Sequence, residues 1–234
     1  MTTMISKLQA CVSRSDLSSL LGFKPKAFAY VLFHVADADK YTDFEIPKKN
    51  GGVRVISAPI PQLKLLQSRL SECLQTCLTE IEKADGVKES CAISHGFHKG
   101  RSIYSNAEVH KGRRWVFNID LEDFFPSINF GRVRGYFIKN KNFALNPDVA
   151  TVISQIACHK NALPQGSPCS PVISNLLAHI LDMRISRIAK KARCSYTRYA
   201  DDLTFSCSKK SFPDGIAQLS QADQGVWLPS DKLR

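Results

Sequence analysis

Residues 194–207 read CSYTRYADDLTFSC, and their reading decides the fold. Two adjacent carboxylates, Asp201 and Asp202, are preceded by Tyr196, Thr197 and Tyr199 and followed by Leu203, Thr204 and Phe205. β-Branched and aromatic residues on both sides of a short polar break predict a hairpin with the acids at its tip. Neighbouring anions repel and need a compensating cation. Hard divalent ions such as Mg²⁺ are held through one or two carboxylates together with substrate phosphates. Taken alone, the pair reads more readily as a solvated turn, so the rest of the chain must decide.

Upstream of the hairpin, Val172, Leu176, Leu177, Ile180 and Ile188 predict a helix, with Ser170 as N-cap and Pro171 at its first position. The connection before it, HKNALPQGSPCSP over residues 159–171, holds one glycine and three prolines and is expected to be ordered. The positive helix end beside Gln165 favours an anion there. Further back, WVFNID over residues 115–120 predicts a buried strand that delivers Asp120 at its C-terminal end. Glu122, Asp123, Phe124, Phe125 and Pro126 follow, and at least one of these phenylalanines must pack or touch a ligand. Asn129 is the expected cap of a helix over 131–140, and Asn146-Pro147 opens another that runs to about Cys158. No element is assigned after Phe212.

The N-terminal residues 1–36 predict two or three short helices, with Ser15-Asp16 capping one and Pro25 opening another. A hairpin follows over 41–57, turning at Asn50-Gly51-Gly52 and carrying Lys48, Lys49 and Arg54. A mobile basic hairpin suits closure over a triphosphate, with Arg54 as a planar fork and the lysines as point charges. After Pro61, Leu63, Leu66, Leu70, Leu74, Cys77 and Ile81 recur every three to four residues and predict a long amphipathic helix ending near Asp85-Gly86. Residues 92–110, AISHGFHKGRSIYSNAEVH, predict a loop leading into a helix at about Ser102. His95, His98, Lys99 and Arg101 form a basic cluster suited to a phosphate backbone. Neither His stands at metal-ligand spacing from a partner.

The 234 residues carry a net charge of +11, as polyanion binders commonly do. The segment from Phe212 onward is −1, so residues 1–211 carry +12. Eight cysteines without a CxxC pair fit reduced, buried thiols. With no long apolar run and no leader-like N-terminus, a cytoplasmic protein with no membrane partner is expected.

A strand-terminal Asp120 and the Asp201-Asp202 hairpin can together hold two divalent ions for phosphoryl transfer, and the basic body offers a nucleic-acid channel. In the order FNIDLEDFFPSI, LPQGSPCSP, YADD, preceded by GGVRVISAP, the chain resembles the fingers and palm of reverse transcriptases. Asn106-Ala107-Glu108-Val109-His110 is similar to the NAxxH motif of bacterial retron reverse transcriptases, as is HGFHKGRSI before it. The resemblance covers about residues 40–210.

This resemblance implies an α+β fold, with right-hand polymerase fingers and palm and an antiparallel palm sheet backed by helices. An N-terminal helical segment (1–36), fingers (37–114) and a palm (115–211, with a fingers-like helical insertion at about 130–170) would precede an unassigned tail (212–234). The implied function is RNA-directed DNA polymerisation of the retron type. A structured non-coding RNA would be copied into branched msDNA, in the service of antiphage defence. Asp120, Asp201 and Asp202 would be the catalytic, metal-binding carboxylates for two Mg²⁺ ions, with Mn²⁺ as a substitute. Lys48, Lys49, Arg54, Phe125, Gln165, Gly166, Tyr199 and Ala200 would bind the nucleotide, Phe125 as the gate against a ribose 2′-OH. His95, His98, Lys99, Arg101, Asn106 and His110 would lie along the nucleic acid. The expected partners are the protein's own structured RNA as template, the RNA–DNA hybrid, dNTPs and a retron effector protein. No thumb is recognisable after the YADD box. Two further readings therefore stand beside the polymerase: a truncated remnant that binds RNA or a partner without polymerising, and an RNA-dependent RNA polymerase. The aromatic at position 125 argues against the latter.

Overall fold

The computed structural model describes residues 2–47, 51–86 and 92–217. Lys48, Lys49, Asn50, Cys91 and the tail beyond 217 lie outside the described residues, and with them the expectations placed there. The chain forms two compact units: residues 1–85 with 125–174, and residues 86–124 with 175–234.

In the first unit, three short helices, α1 (Met4–Gln9), α2 (Arg14–Leu20) and α3 (Pro25–Ala29), lead through a π-helical turn (Tyr30–His34) to a hairpin. A six-residue helix is marginal by itself. Its local cap, Thr3, accepts only from the Ser6 N–H, and the backbone N–H groups of Met4 and Ile5 donate to the Glu80 carboxylate at 2.8 and 2.9 Å, so α1 is completed from elsewhere in the chain. The cap of α2 is Ser13 rather than Ser15, because a capping box needs an acid three residues on and Asp16 supplies it. Strands β1 (Tyr41–Pro47) and β2 (Val53–Pro59) pair antiparallel, with Phe44 opposite Ile56 and Ile46 opposite Arg54. The long helix α4 (Pro61–Ala84) buries Leu63, Leu66, Leu70, Leu74 and Cys77 as the periodicity predicts. Its Gln67 donates to Tyr41 Oη at 2.7 Å and to the Ile156 carbonyl at 2.9 Å, joining the hairpin, α4 and a later helix.

In the second unit, α5 (Ile103–His110) begins at the expected cap, Ser102. Strand β3 (Trp115–Asp120) follows. The chain then passes through the first unit as α6 (Phe130–Lys139) and α7 (Pro147–Ala157), capped by Asn129 and Asn146 as expected. Helix α8 (Ser170–Lys191) returns it to strands β4 (Ser195–Tyr199) and β5 (Asp202–Cys207). Ser170 is the first helical residue, and its hydroxyl donates to the Pro164 carbonyl at 2.8 Å instead of capping. A short helix, α9 (Asp214–Ala217), closes the described chain.

The sheet order is β3-β5-β4, antiparallel throughout. Alternation sends Ile119, Leu203, Phe205, Tyr196 and Arg198 to one face, where Asp182 of α8 meets Tyr196 and Arg198. Asp120, Asp202, Thr204, Thr197 and Tyr199 take the other face. Among the described residues strand β3 is an edge, and of its six residues only Ile119 is buried. This corrects the expectation of a buried strand: Trp115 and Phe117 lie on one face and Val116 on the other, and none of the three is buried.

The cysteines Cys11, Cys73, Cys77, Cys158, Cys169, Cys194 and Cys207 are free thiols. No helix among the described residues is long and apolar enough to cross a membrane.

Candidate active site

The hairpin at 194–207 forms as the sequence predicts. Tyr199 pairs with Asp202, and Ala200-Asp201 make the turn. Ala200 is buried with φ +56°, a left-handed conformation uncommon for a residue with a Cβ. Asp202 is the first residue of β5 and stands directly opposite Asp120, the last residue of β3. The Leu121 N–H donates to the Asp201 carbonyl at 3.1 Å, which ties the turn to the residue after Asp120. Three carboxylates, two from adjacent strands and one from the turn, thus gather at one end of the sheet.

Their mutual repulsion is visible in Asp202, whose carboxyl is held above its ordinary range. Partial burial is the larger cause, followed by the charges of Asp201 and Asp120. A divalent cation would relieve this strain. Among the described residues, no three His, Cys, Asp or Glu side chains form a ready-made cage. The donors present, carboxylate oxygens alone, are of the kind that a hard ion such as Mg²⁺ takes, one or two of them together with waters and phosphate oxygens.

Beside Asp202, a cavity of about 410 Å³ opens on the same face, lined by Asn106, Lys111, Asn118, Tyr199 and Thr204 among others. Its α5 wall is built differently from the sequence expectation. His110 is buried, with Nδ1 2.7 Å from Ser206 Oγ and Nε2 2.7 Å from Thr197 Oγ1, bridging β5 and β4. Asn106 is buried too, and its Oδ1 has no hydrogen-bond partner. His95 is also buried, 2.8 Å from Ser105 Oγ and 3.2 Å from the Ala92 carbonyl. An imidazole with both nitrogens engaged inside the fold has no donor left for a phosphate. Lys99 is exposed, His98 and Arg101 are partly so, and an Arg101 N–H also donates to the Ser94 carbonyl at 2.7 Å.

Burial, with the charges of His95 and Arg113 behind it, pushes His110 from 6.5 down to about 4. The unfolded chain takes up its proton near 6.5 while the folded one refuses it until about 4. The stability this group contributes is therefore intact above 6.5 and drains away as the pH falls toward 4. Thermal unfolding between pH 7 and pH 4.5 should show a smaller acid-induced loss in a His110→Gln protein than in the unaltered one. Equal losses would mean that His110 does not carry the effect.

In the other unit, Gln165 and Gly166 lie against β2 at Ser57, three residues along the strand from Arg54. Arg54 is exposed on β2, and the Ser57 N–H of the same strand donates to the Gln165 carbonyl at 2.7 Å. Phe125 is half-buried, with its carbonyl accepting from the Ile128 N–H at 3.0 Å, whereas Phe124 is buried. Sequence reasoning missed Asp182, Asn175, Arg198 and Gly96, which surround the carboxylate turn. The available signal was a pair of opposite charges, Asp182 among the apolar positions of α8 and Arg198 between the two tyrosines of β4.

Residues 46–223 match the family model described as reverse transcriptase (RNA-dependent DNA polymerase). The chain belongs to the reverse transcriptase family. Within it, the chain is similar to retron enzymes: 36% identical over 221 residues to the retron Mx162 reverse transcriptase of Myxococcus xanthus, covering 86% of this chain and 43% of that one. It is 39% identical over 178 residues to the retron Ec86 reverse transcriptase of Escherichia coli, covering 75% and 51%. The chain thus spans about half the length of the curated relatives it matches. The fold is also that of telomerase from Candida albicans, solved with a fragment of telomeric RNA: TM-score 0.55 at 12% identity, over 83% of this chain and 42% of that one. Apo telomerase from Candida tropicalis matches with TM-score 0.53 at 13% identity, over 86% and 50%.

Proposed function

We propose that this chain carries the active centre of an RNA-directed DNA polymerase of the retron type. The observation that carries the reading is the gathering of Asp120, Asp201 and Asp202 at one end of the β3-β5-β4 sheet, with the turn tied to β3 through Leu121. Asp120 and Asp201, with Asp202 beside them, would hold two Mg²⁺ ions, or Mn²⁺ in their place. Bound there, the ions would align the primer 3′-hydroxyl with the dNTP α-phosphorus and offset charge on the departing pyrophosphate.

The chain's own residues supply the positioning. Arg54, with Lys48 or Lys49, neutralises the triphosphate, the guanidinium as a planar fork. Gln165 and Gly166 border the incoming nucleotide and the template, and Tyr199 and Ala200 border the primer terminus. The phenyl ring of Phe125 occupies the space that a ribose 2′-OH needs. Lys99, and to a lesser degree His98 and Arg101, meet the nucleic-acid backbone, while His95, Asn106 and His110 act from inside by fixing α5 and its preceding loop against the sheet. At the finer level, the template is the protein's own structured RNA and the product branched msDNA. The protein works in the cytoplasm, alongside an effector protein in antiphage defence.

The test is primer extension by the purified chain on an RNA template with dNTPs and Mg²⁺, which chelation should abolish. RNA binding without extension would favour a binding-only protein. The same assay reads sugar choice: Phe125→Ala should raise ribonucleotide incorporation while deoxynucleotide use persists. An unchanged ratio would place the gate elsewhere.

A further inference from the structure

Arg198 lies on β4, three residues before Asp201, and is completely buried. Its guanidinium makes four hydrogen bonds. Nε and Nη2 donate to the two oxygens of Asp182 at 2.9 and 2.8 Å, a bidentate fork. Nη1 donates to Asn175 Oδ1 at 3.1 Å and to the Ala200 carbonyl at 2.8 Å. Tyr196 Oη donates to Asp182 as well, at 2.8 Å, and the Phe124 ring lies 6.0 Å below the guanidinium. Such a buried pair adds little net stability over apolar residues of the same volume, because desolvation offsets the attraction. Stability is therefore a poor reason for it, and its geometry offers a better one.

Three of the four bonds anchor Arg198 to α8. The fourth reaches forward and fixes the carbonyl of Ala200, the residue in the left-handed conformation. A strained residue of this kind persists only where its surroundings over-determine it. Here a second contact does so from the other side. A Cβ added to Gly96 would overlap the backbone nitrogen of Ala200, so only glycine lets the two backbones meet. The Gly96 carbonyl accepts from Asn175 Nδ2 at 2.7 Å, and the His95 N–H donates to the Arg198 carbonyl at 2.8 Å. The turn is thus gripped between the Arg198 guanidinium and the 94–96 loop, with Asn175 bonded to both.

We propose that Arg198, clamped by Asp182 and Asn175, is the positioning residue of the carboxylate turn. It holds Ala200 left-handed and so aims Asp201 and Asp202 at the end of β3 that carries Asp120. The catalytic consequence rests on the polymerase reading; the geometry does not. The Leu121 amide, which donates to the Asp201 carbonyl, reports the placement of the turn in the metal-free protein.

The decisive variant replaces the cluster by apolar residues of similar volume, Arg198→Met with Asp182→Leu and Tyr196→Phe, which should melt no lower than the unaltered chain. Hydrogen exchange at Leu121 should become about tenfold faster, the loss of roughly one hydrogen bond, while amides in the middle of the β3–β5 ladder keep their protection. Primer extension should fall in kcat, and the Mg²⁺ needed for half-maximal rate should rise, each by about 10–100-fold as for other residues that orient metal ligands. Arg198→Lys keeps the charge beside Asp182 and guards against misfolding of the triple variant. A single ammonium cannot make the fork and reach Ala200 together, so it should show the same selective acceleration at Leu121. Unchanged Leu121 exchange in either folded variant overturns the proposal, as does acceleration spread evenly over the ladder. If the unaltered chain fails to extend a primer, the polymerase reading falls, and the exchange comparison still decides the positioning.

Discussion

A protein carrying Asp201→Asn should lose nucleotide addition by at least about 10²–10³-fold, the cost of removing one element of transition-state charge stabilisation. It should bind RNA nearly as well as the unaltered chain, because that affinity comes from phosphate contacts spread over a body of net charge +12. Folding should not suffer. Asp201 adds to a crowded set in which Asp202 is already pushed above its ordinary range, partly by Asp201 itself. Removing that charge should lower the Asp202 pKa and leave the melting temperature equal or higher, as expected where function has been built at the expense of stability. Rapid-quench extension, an RNA-binding titration and a carboxylate NMR titration check the three statements. Near-normal extension by Asp201→Asn would remove Asp201 from the reaction.

The second large effect is expected far from the carboxylates along the chain. Gly166 has φ +120°, a conformation essentially closed to residues with a Cβ, and an added Cβ would lie 2.6 Å from the Ser57 carbonyl oxygen. The strain costs about 1–3 kcal/mol, and forced overlap with a fixed backbone adds about 1–3 kcal/mol more. Neither can relax cheaply, because the Ser57 N–H is bonded to the neighbouring Gln165 carbonyl at 2.7 Å. Gly166→Ala should therefore lower the melting temperature by roughly 5–15 °C for a chain of this size. It should also speed exchange of the Ser57 amide and raise the KM for dNTPs, since the loop moves off β2. A melting temperature within a degree of the unaltered protein would show that the loop tolerates another conformation.

Local chemistry made most of the architecture legible in the sequence. Asn129 and Asn146-Pro147 opened their helices where expected, Ser102 opened α5, and the leucine spacing after Pro61 gave α4 along its whole length. Where caps were misplaced, the choice hung on atoms rather than residue types. Ser13 wins over Ser15 because Asp16 stands three residues on, and the Ser170 hydroxyl is taken by the Pro164 carbonyl. Of the candidate site, the placement of the carboxylates was legible because their strands carry strong hairpin and strand signals. What surrounds them was not. His110 looks like a surface base on an eight-residue helix, yet the sheet supplies two hydroxyls 87 and 96 residues away that draw it inside. Trp115, Val116 and Phe117 look like core, but among the described residues β3 pairs on one side only. Such outcomes depend on which strands become neighbours, and periodicity along the chain does not encode that.

The carboxylate of Glu80 on the first two free amides of α1 has a consequence for the newborn chain. Met4 and Glu80 are 76 residues apart, and a ribosome adding about 5–20 residues per second needs roughly 4–15 s to bridge that distance. Throughout that interval a six-residue helix, with only Thr3 to cap it, is below the length that holds itself together. Helix α1 is therefore made well before the carboxylate that reaches its amides, and it settles only once α4 is long enough to receive it.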